Sequence, residues 1–106
     1  MAKADSKRGI QRERDLVNSL REGGWFALRA PASLGVADVV ALKDGERPRL
    51  TEVKSTKAGP YAGFGPADRK ALAEAADRAG ADAFLYWHPP RRKPQWIPRS
   101  DWPDAA

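Results

Sequence analysis

The sequence predicts an α/β domain in which helices flank a central mixed β-sheet, in the order α-β-β-β-α-β with a candidate extra edge strand. Three observations predict it. Two segments, Gly9 to Glu22 and Pro66 to Ala79, carry apolar residues at three- and four-residue spacing and each is followed by glycine. Between them, Val39-Val40-Ala41-Leu42 and Arg49-Leu50-Thr51-Glu52-Val53-Lys54 flank a polar stretch centred on Gly45, the pattern of a hairpin. Beyond the second helix, Ala83-Phe84-Leu85-Tyr86-Trp87 is a continuous apolar run, as expected of a strand inside the sheet. A length of 106 residues suits one domain, residues 1–106, with a modest core.

The chain opens with a basic stretch. Lys3, Lys7, Arg8, Arg12 and Arg14 against Asp5 and Glu13 give the first fourteen residues a net charge of +3. Residues 1 to about 8 read as a flexible basic arm, suited to lying along phosphates or simply solvated. The first helix then places Leu16, Val17 and Leu20 on one face. Glu13 falls inside that apolar stripe, where a carboxylate is costly unless it is paired or bound to a cation. A salt bridge to an arginine at the helix rim and a functional role both account for it.

Trp25-Phe26-Ala27-Leu28-Arg29-Ala30 follows as a short strand ended by Pro31. Ser33 is either a turn serine or a donor to a phosphate or carboxylate, and Arg29 can neutralise an acid or a phosphate. The hairpin register centred on Gly45 sets Val40 opposite Leu50 and Asp38 opposite Glu52. Glu52 and Lys54 share a strand face, because side chains alternate. Two opposed carboxylates repel, and a hard cation such as Mg²⁺, which takes one or two carboxylates plus water or phosphate, would relieve them. Solvated charges on a surface hairpin are the plainer alternative.

The glycine-rich segment from Ser55 to Gly65 carries Lys57, Tyr61 and Phe64, which suit either a nucleic acid or packing on the next helix. Pro66 opens that helix and Gly80 closes it. Leu72, Ala75, Ala76 and Ala79 are its expected sheet-facing stripe, with Arg69 and Lys70 toward solvent. After Trp87 come His88, expected as a polar strand cap, and the cluster Arg91-Arg92-Lys93, either a phosphate contact or a charged loop. Gln95-Trp96-Ile97 between Pro94 and Pro98 is the candidate edge strand. Trp96 and Trp102 should cover the core or lie in a subunit interface.

A net charge of +5 and a sequence pI near 9.9 suit a polyanionic partner, nucleic acid being the commonest. The absence of cysteine excludes disulfides and thiolate metal sites. No apolar run has membrane-spanning length and the N-terminus has no signal-like core, so a cytoplasmic protein is expected.

Gly9-x-x-x-Glu13-Arg14, then Arg29-Ala30-Pro31-Ala32-Ser33, then Asp38 with its apolar run, then Glu52-Val53-Lys54-Ser55 resemble the archaeal-type Holliday junction resolvases of the PD-(D/E)xK nuclease superfamily. The likeness runs from about Lys7 to Trp87, with residues 88–106 a loosely matched tail. It implies a restriction-endonuclease-like core. It also implies a homodimer that cuts four-way DNA junctions symmetrically with Mg²⁺, with Mn²⁺ as an alternative ion. Glu13, Asp38 and Glu52 would bind metal with help from the Val53 carbonyl, Lys54 would position the attacking water, and Ser33 would lie near the catalytic centre. Lys7, Arg8, Arg12, Arg29, Ser55, Lys57, Arg91, Arg92 and Lys93 are the expected DNA contacts. Two departures stand out: Ala37 replaces the family's usual proline, and the loop from Ser33 to Asp38 is short where the family has a longer basic one. The rival expectations are a nuclease of the same superfamily acting on other branched, nicked or damaged DNA, and a basic nucleic-acid-binding module without catalysis.

Overall fold

A computed structural model describes residues 7–30 and 35–104. Helix α1 (Lys7–Glu22) is followed by β1 (Phe26–Arg29), β2 (Val39–Leu42), β3 (Arg49–Lys54), α2 (Pro66–Ala79), β4 (Asp82–Trp87) and β5 (Gln95–Pro98). The five strands lie in the sheet in chain order. β1, β2 and β3 form an antiparallel meander, β4 runs parallel to β3 through the α2 crossover, and β5 returns antiparallel at the far edge. The expected order and the extra edge strand are both present. The expected hairpin register also holds, with Val40 opposite Leu50.

Both helices end in glycine because their orphan carbonyls need a left-handed residue to turn the chain back. At α1, Gly24 has φ +92°, its N–H donates to the Arg21 carbonyl at 3.0 Å and Trp25 N–H reaches the Leu20 carbonyl at 3.0 Å. At α2, Gly80 takes φ 64° and Ala81 N–H donates to the Ala76 carbonyl at 2.8 Å. Helix α1 starts earlier than expected, so Lys7 and Arg8 belong to its first turn rather than to an arm.

Strand alternation divides the core into two layers. Leu16, Val17 and Leu20 of α1 pack on Ala27, Val39, Ala41, Val53 and Tyr86, with Trp25 alongside. On the other sheet face, Leu72, Ala73 and Ala76 of α2 pack with Phe64, Ala81, Ala83, Leu85 and Trp102. The expected α2 stripe is out of phase: the buried positions are Arg69, Leu72, Ala73 and Ala76, while Ala79 is exposed. Arg69, expected in solvent, is buried. Its Nε donates to Asp104 at 2.8 Å, another guanidinium nitrogen donates to the Phe64 carbonyl, and the guanidinium sits 5.2 Å from the Tyr61 ring. That ion pair holds the Asp104 carboxyl below the usual carboxylate range, the hydrogen bond from Arg69 being the main cause.

Phe64 and Trp102 meet edge to face at 5.3 Å, so Phe64 and Tyr61 are packing residues. Trp96, by contrast, stays partly exposed on β5. It joins Trp25 and Phe84 around the Arg49 guanidinium, which lies 4.5 to 5.3 Å from the three ring centres. This aromatic group closes the sheet face beyond the reach of α1.

Candidate active site

The carboxyl ends of β1, β3 and β4, the start of β2 and the N-terminal half of α1 meet at one end of the sheet. Asp38 stands where β2 begins. Its main chain extends the ladder: its N–H donates to the Thr51 carbonyl at 2.9 Å and its carbonyl accepts from Ala30 N–H at 2.8 Å. Its carboxylate oxygen Oδ2 accepts the Val53 N–H at 2.8 Å, which fixes the side chain against β3. The register that pairs Val39 with Thr51 sets Asp38 against Glu52, as the hairpin pattern predicted.

Glu52 and Lys54 project from β3 on the same face, two residues apart, and both are buried. Lys54 Nζ lies 3.2 Å from Glu52 Oε2, with the two side chains only 7% and 10% exposed. The roof over the lysine is main chain. Gly63 has φ +76°, a conformation that favours glycine, and a Cβ built there would touch Lys54 Nζ at 3.4 Å. The segment that carries Gly63 is tied down by two bonds of 2.7 Å, from Thr56 Oγ1 to the Gly59 carbonyl and from Trp87 Nε1 to the Thr56 carbonyl. Phe64 N–H also donates to the Tyr61 carbonyl at 3.0 Å. The role of Gly63 escaped the sequence reading, which saw only a glycine-rich loop.

Glu13 is buried on α1, as the helical wheel indicated, and accepts from Arg29 Nε at 2.9 Å. Arg29 thus sits at the site as expected, paired to an acid. This pair approaches from the α1 side, while Asp38, Glu52 and Lys54 belong to the α2 side of the sheet. Among the described residues no three acidic or histidine side chains are close enough to hold one ion together. The donor set that fits a hard divalent ion is therefore Asp38 and Glu52, with the Val53 carbonyl between them in sequence. Ser33 lies outside the described residues.

Of the expected DNA contacts, Lys7, Arg8, Lys57, Arg91, Arg92 and Lys93 are exposed, and Arg12 and Ser55 are half-buried. Arg91, with φ 62°, turns the chain between β4 and β5. His88 caps β4, its N–H donating to the Lys54 carbonyl at 2.8 Å, and its Nδ1 is buried without a hydrogen-bond partner among the described residues. Burial, and then the charge of Arg12, hold its pKa below the ordinary histidine value.

An aspartate at one strand's head faces a Glu-x-Lys on its neighbour, and the mixed sheet between two helices that carries them is of the restriction-endonuclease-like fold. The solved structure of the Holliday junction resolvase Hjc from Archaeoglobus fulgidus superposes with a TM-score of 0.75 at 28% identity, covering 89% of this chain and 75% of that one. The family model for the archaeal Holliday junction resolvase (Hjc) matches residues 4–101, and the chain belongs to that family. Two curated relatives are crossover junction endodeoxyribonucleases Hjc. The one from Sulfurisphaera tokodaii is 37% identical and the one from Sulfolobus acidocaldarius 34% identical, each over 87 residues. Both alignments cover 77% of this chain, and the chain spans about 60% of the length of these relatives.

Proposed function

We propose that this chain is a metal-dependent endodeoxyribonuclease that resolves four-way DNA junctions by paired phosphodiester hydrolysis. The observation that carries the reading is the opposition of Asp38, pinned through Oδ2, to the buried Glu52–Lys54 pair on one sheet face. Family membership supports the substrate class, since the relatives are named for crossover junctions.

Mg²⁺ or Mn²⁺, held by Asp38 and Glu52, would supply Lewis acidity toward the scissile phosphate and toward a bound water. The protein's own groups do the rest. Asp38 keeps one oxygen on the Val53 N–H, so its other oxygen is held in a fixed direction. Lys54, desolvated beneath Gly63, offsets the negative charge that grows on the phosphorane and orients the attacking water. Arg29 balances Glu13 at the margin of the site, where it also favours an incoming phosphate.

Cutting two strands of a junction calls for two active sites, and a homodimer supplies them. The face that suits a second copy carries Phe26, Leu28 and Leu42, which are 65%, 40% and 45% exposed. Phe26 lies opposite Leu42 and Leu28 opposite Val40, so these four form one contiguous apolar patch on the uncovered side of β1 and β2. Extension of the sheet through β1 is blocked. The outward-facing Ala27 carbonyl accepts from Arg21 at 3.0 and 3.2 Å, which occupies the edge a further strand would use. Face-to-face packing is the arrangement left to a second copy.

The test is a labelled synthetic four-way junction beside linear duplex of the same sequence, each with Mg²⁺ or with EDTA. Paired, metal-dependent nicks in opposite arms with the duplex spared are expected. Glu52→Ala should lower cutting by more than about 10³-fold while junction binding persists. Wild-type cutting by Glu52→Ala would overturn the site, and indiscriminate cutting of duplex would overturn the substrate. The short loop between Ser33 and Asp38 favours a second reading, in which the same chemistry acts on other branched or nicked DNA. Among the described residues no helix is long and apolar enough to cross a membrane.

A further inference from the structure

Beside the Glu13–Arg29 pair, a groove of about 300 Å³ runs between α1 and the outer strand β1, lined by Arg14, Val17, Asn18, Arg21, Leu28 and Arg29. Its polar lining is three guanidinium groups and one amide, with no carboxylate. Arg14, Asn18 and Arg21 recur four and three residues apart, so they form one row along the helix. Two of the arginines are held in place by the fold. Arg21 is fixed through Nε and one terminal nitrogen on the Ala27 carbonyl, and Arg29 through Nε on Glu13. Arg14 and Asn18 are exposed and make no side-chain hydrogen bond or ion pair among the described residues, which leaves their donors to the groove. Glu13 offsets the charge of Arg29, but Arg14 and Arg21 meet no carboxylate in the groove, and a row of this kind is stabilised when a polyanion lies across it.

We propose that this groove is the track of the DNA strand as it leaves the active site, with Arg14, Asn18 and Arg21 as backbone-phosphate contacts. The proposal rests on the nuclease reading and adds the path of the substrate to it. Arg29, shared between groove and Glu13, marks the end at which the strand meets the site. Arg14 and Arg21 lie seven residues apart, roughly 10 Å along the helix axis, enough for two to three phosphates at roughly 3.4 Å of duplex axis each. Guanidinium forks suit phosphate oxygens, and the amide of Asn18 adds a neutral donor between them. Contacts of this kind position the duplex without reading its sequence.

The test is DNA binding in EDTA, so that cutting plays no part, measured by fluorescence anisotropy on a four-way junction and on linear duplex across a series of salt concentrations. Asn18→Glu places a carboxylate in the groove at an exposed, helix-compatible position, so its melting temperature should match the parent. Its Kd for both DNAs should rise about tenfold, and Asn18→Lys should lower it. Arg14→Ala should flatten the slope of log affinity against log salt by about one, the mark of one lost phosphate contact. Parental Kd and parental salt slope in both Asn18→Glu and Arg14→Ala would overturn the groove while leaving the nuclease reading intact. A wild-type chain that binds neither DNA would overturn the nuclease reading and the groove with it.

Discussion

The two halves of the sheet are covered differently. The half built from β3, β4 and β5 is closed by α2, Phe64 and Trp102 on one face, and by Tyr86, Trp96 and the Arg49 group on the other. The half built from β1 and β2 has α1 on one face and apolar side chains open to solvent on the other. Phenylalanine shows the contrast most directly: Phe64 is almost wholly buried, while Phe26 is two-thirds exposed. The closed half stores stability. The open half carries Asp38 and the outward apolar patch, the surfaces proposed to meet other molecules. Within a small domain, cover has been spent where packing is needed and withheld where contact is made.

The largest effect that could break this comparison lies in the closed half. Phe64→Ala removes a ring that fills the space between α2 and Trp102, and urea melts should show a loss of about 3–5 kcal/mol. The matching change in the open half, Phe26→Glu, should leave the unfolding free energy of the isolated chain in urea within about 0.5 kcal/mol of the parent. It should instead weaken self-association by more than about 100-fold in sedimentation equilibrium, since it sets a charge in the proposed dimer face. A Phe26→Glu chain that stays as dimeric as the parent would place the second copy elsewhere.

The smallest expected effect sharpens the boundary between the halves. His88 stands where the end of β4 meets α1, with Arg12 and Asp15 of α1, Tyr86 of β4 and the main chain at Arg92 around it. Burial and Arg12 lower its pKa in the folded chain, while Asp15 and the Arg92 main chain act in the opposite direction. The unfolded chain therefore binds the proton more readily, and stability is lost as pH falls through the ordinary histidine pKa of about 6.5. Stability measured at successive pH values from 7.5 to about 5 should decline more in the parent than in His88→Gln. Equal slopes would show that His88 titrates alike in both states.

Much of this was legible in the chain because its signals are local. Glycine stops set both helix ends, and the symmetry of the turn around Gly45 set the register that brings Asp38 to Glu52. Glu13 betrayed itself as a carboxylate in an apolar stripe. The misread features depend on distant segments. Arg69 is buried because Asp104 and the Phe64 carbonyl receive its guanidinium, and nothing in the pattern of α2 announces the carboxylate 35 residues away. The phase of that helix was misjudged for the same reason, since alanines at several positions allow more than one packing stripe. The sequence offered Glu13 as completing the metal shell or holding a second ion. Its helix packs on the sheet face that Arg29 occupies, opposite to the face of Asp38 and Glu52.

Because strand order in the sheet follows strand order in the chain, each strand pairs with its neighbours in sequence. Asp38 and Glu52 come together within one hairpin, and the Asp38–Val53 bond spans only 15 residues. The β3–β4 pairing, by contrast, waits for the whole of α2 and closes a loop nearly twice as long, from Lys54 to Asp82. The two carboxylates are thus opposed by contacts local to one hairpin. The charge that offsets them is equally local, because Lys54 sits two residues from Glu52 on the same strand. The hairpin thus carries part of its own compensating charge, one lysine for two carboxylates, and the other elements enclose a site whose opposition is set by its turn.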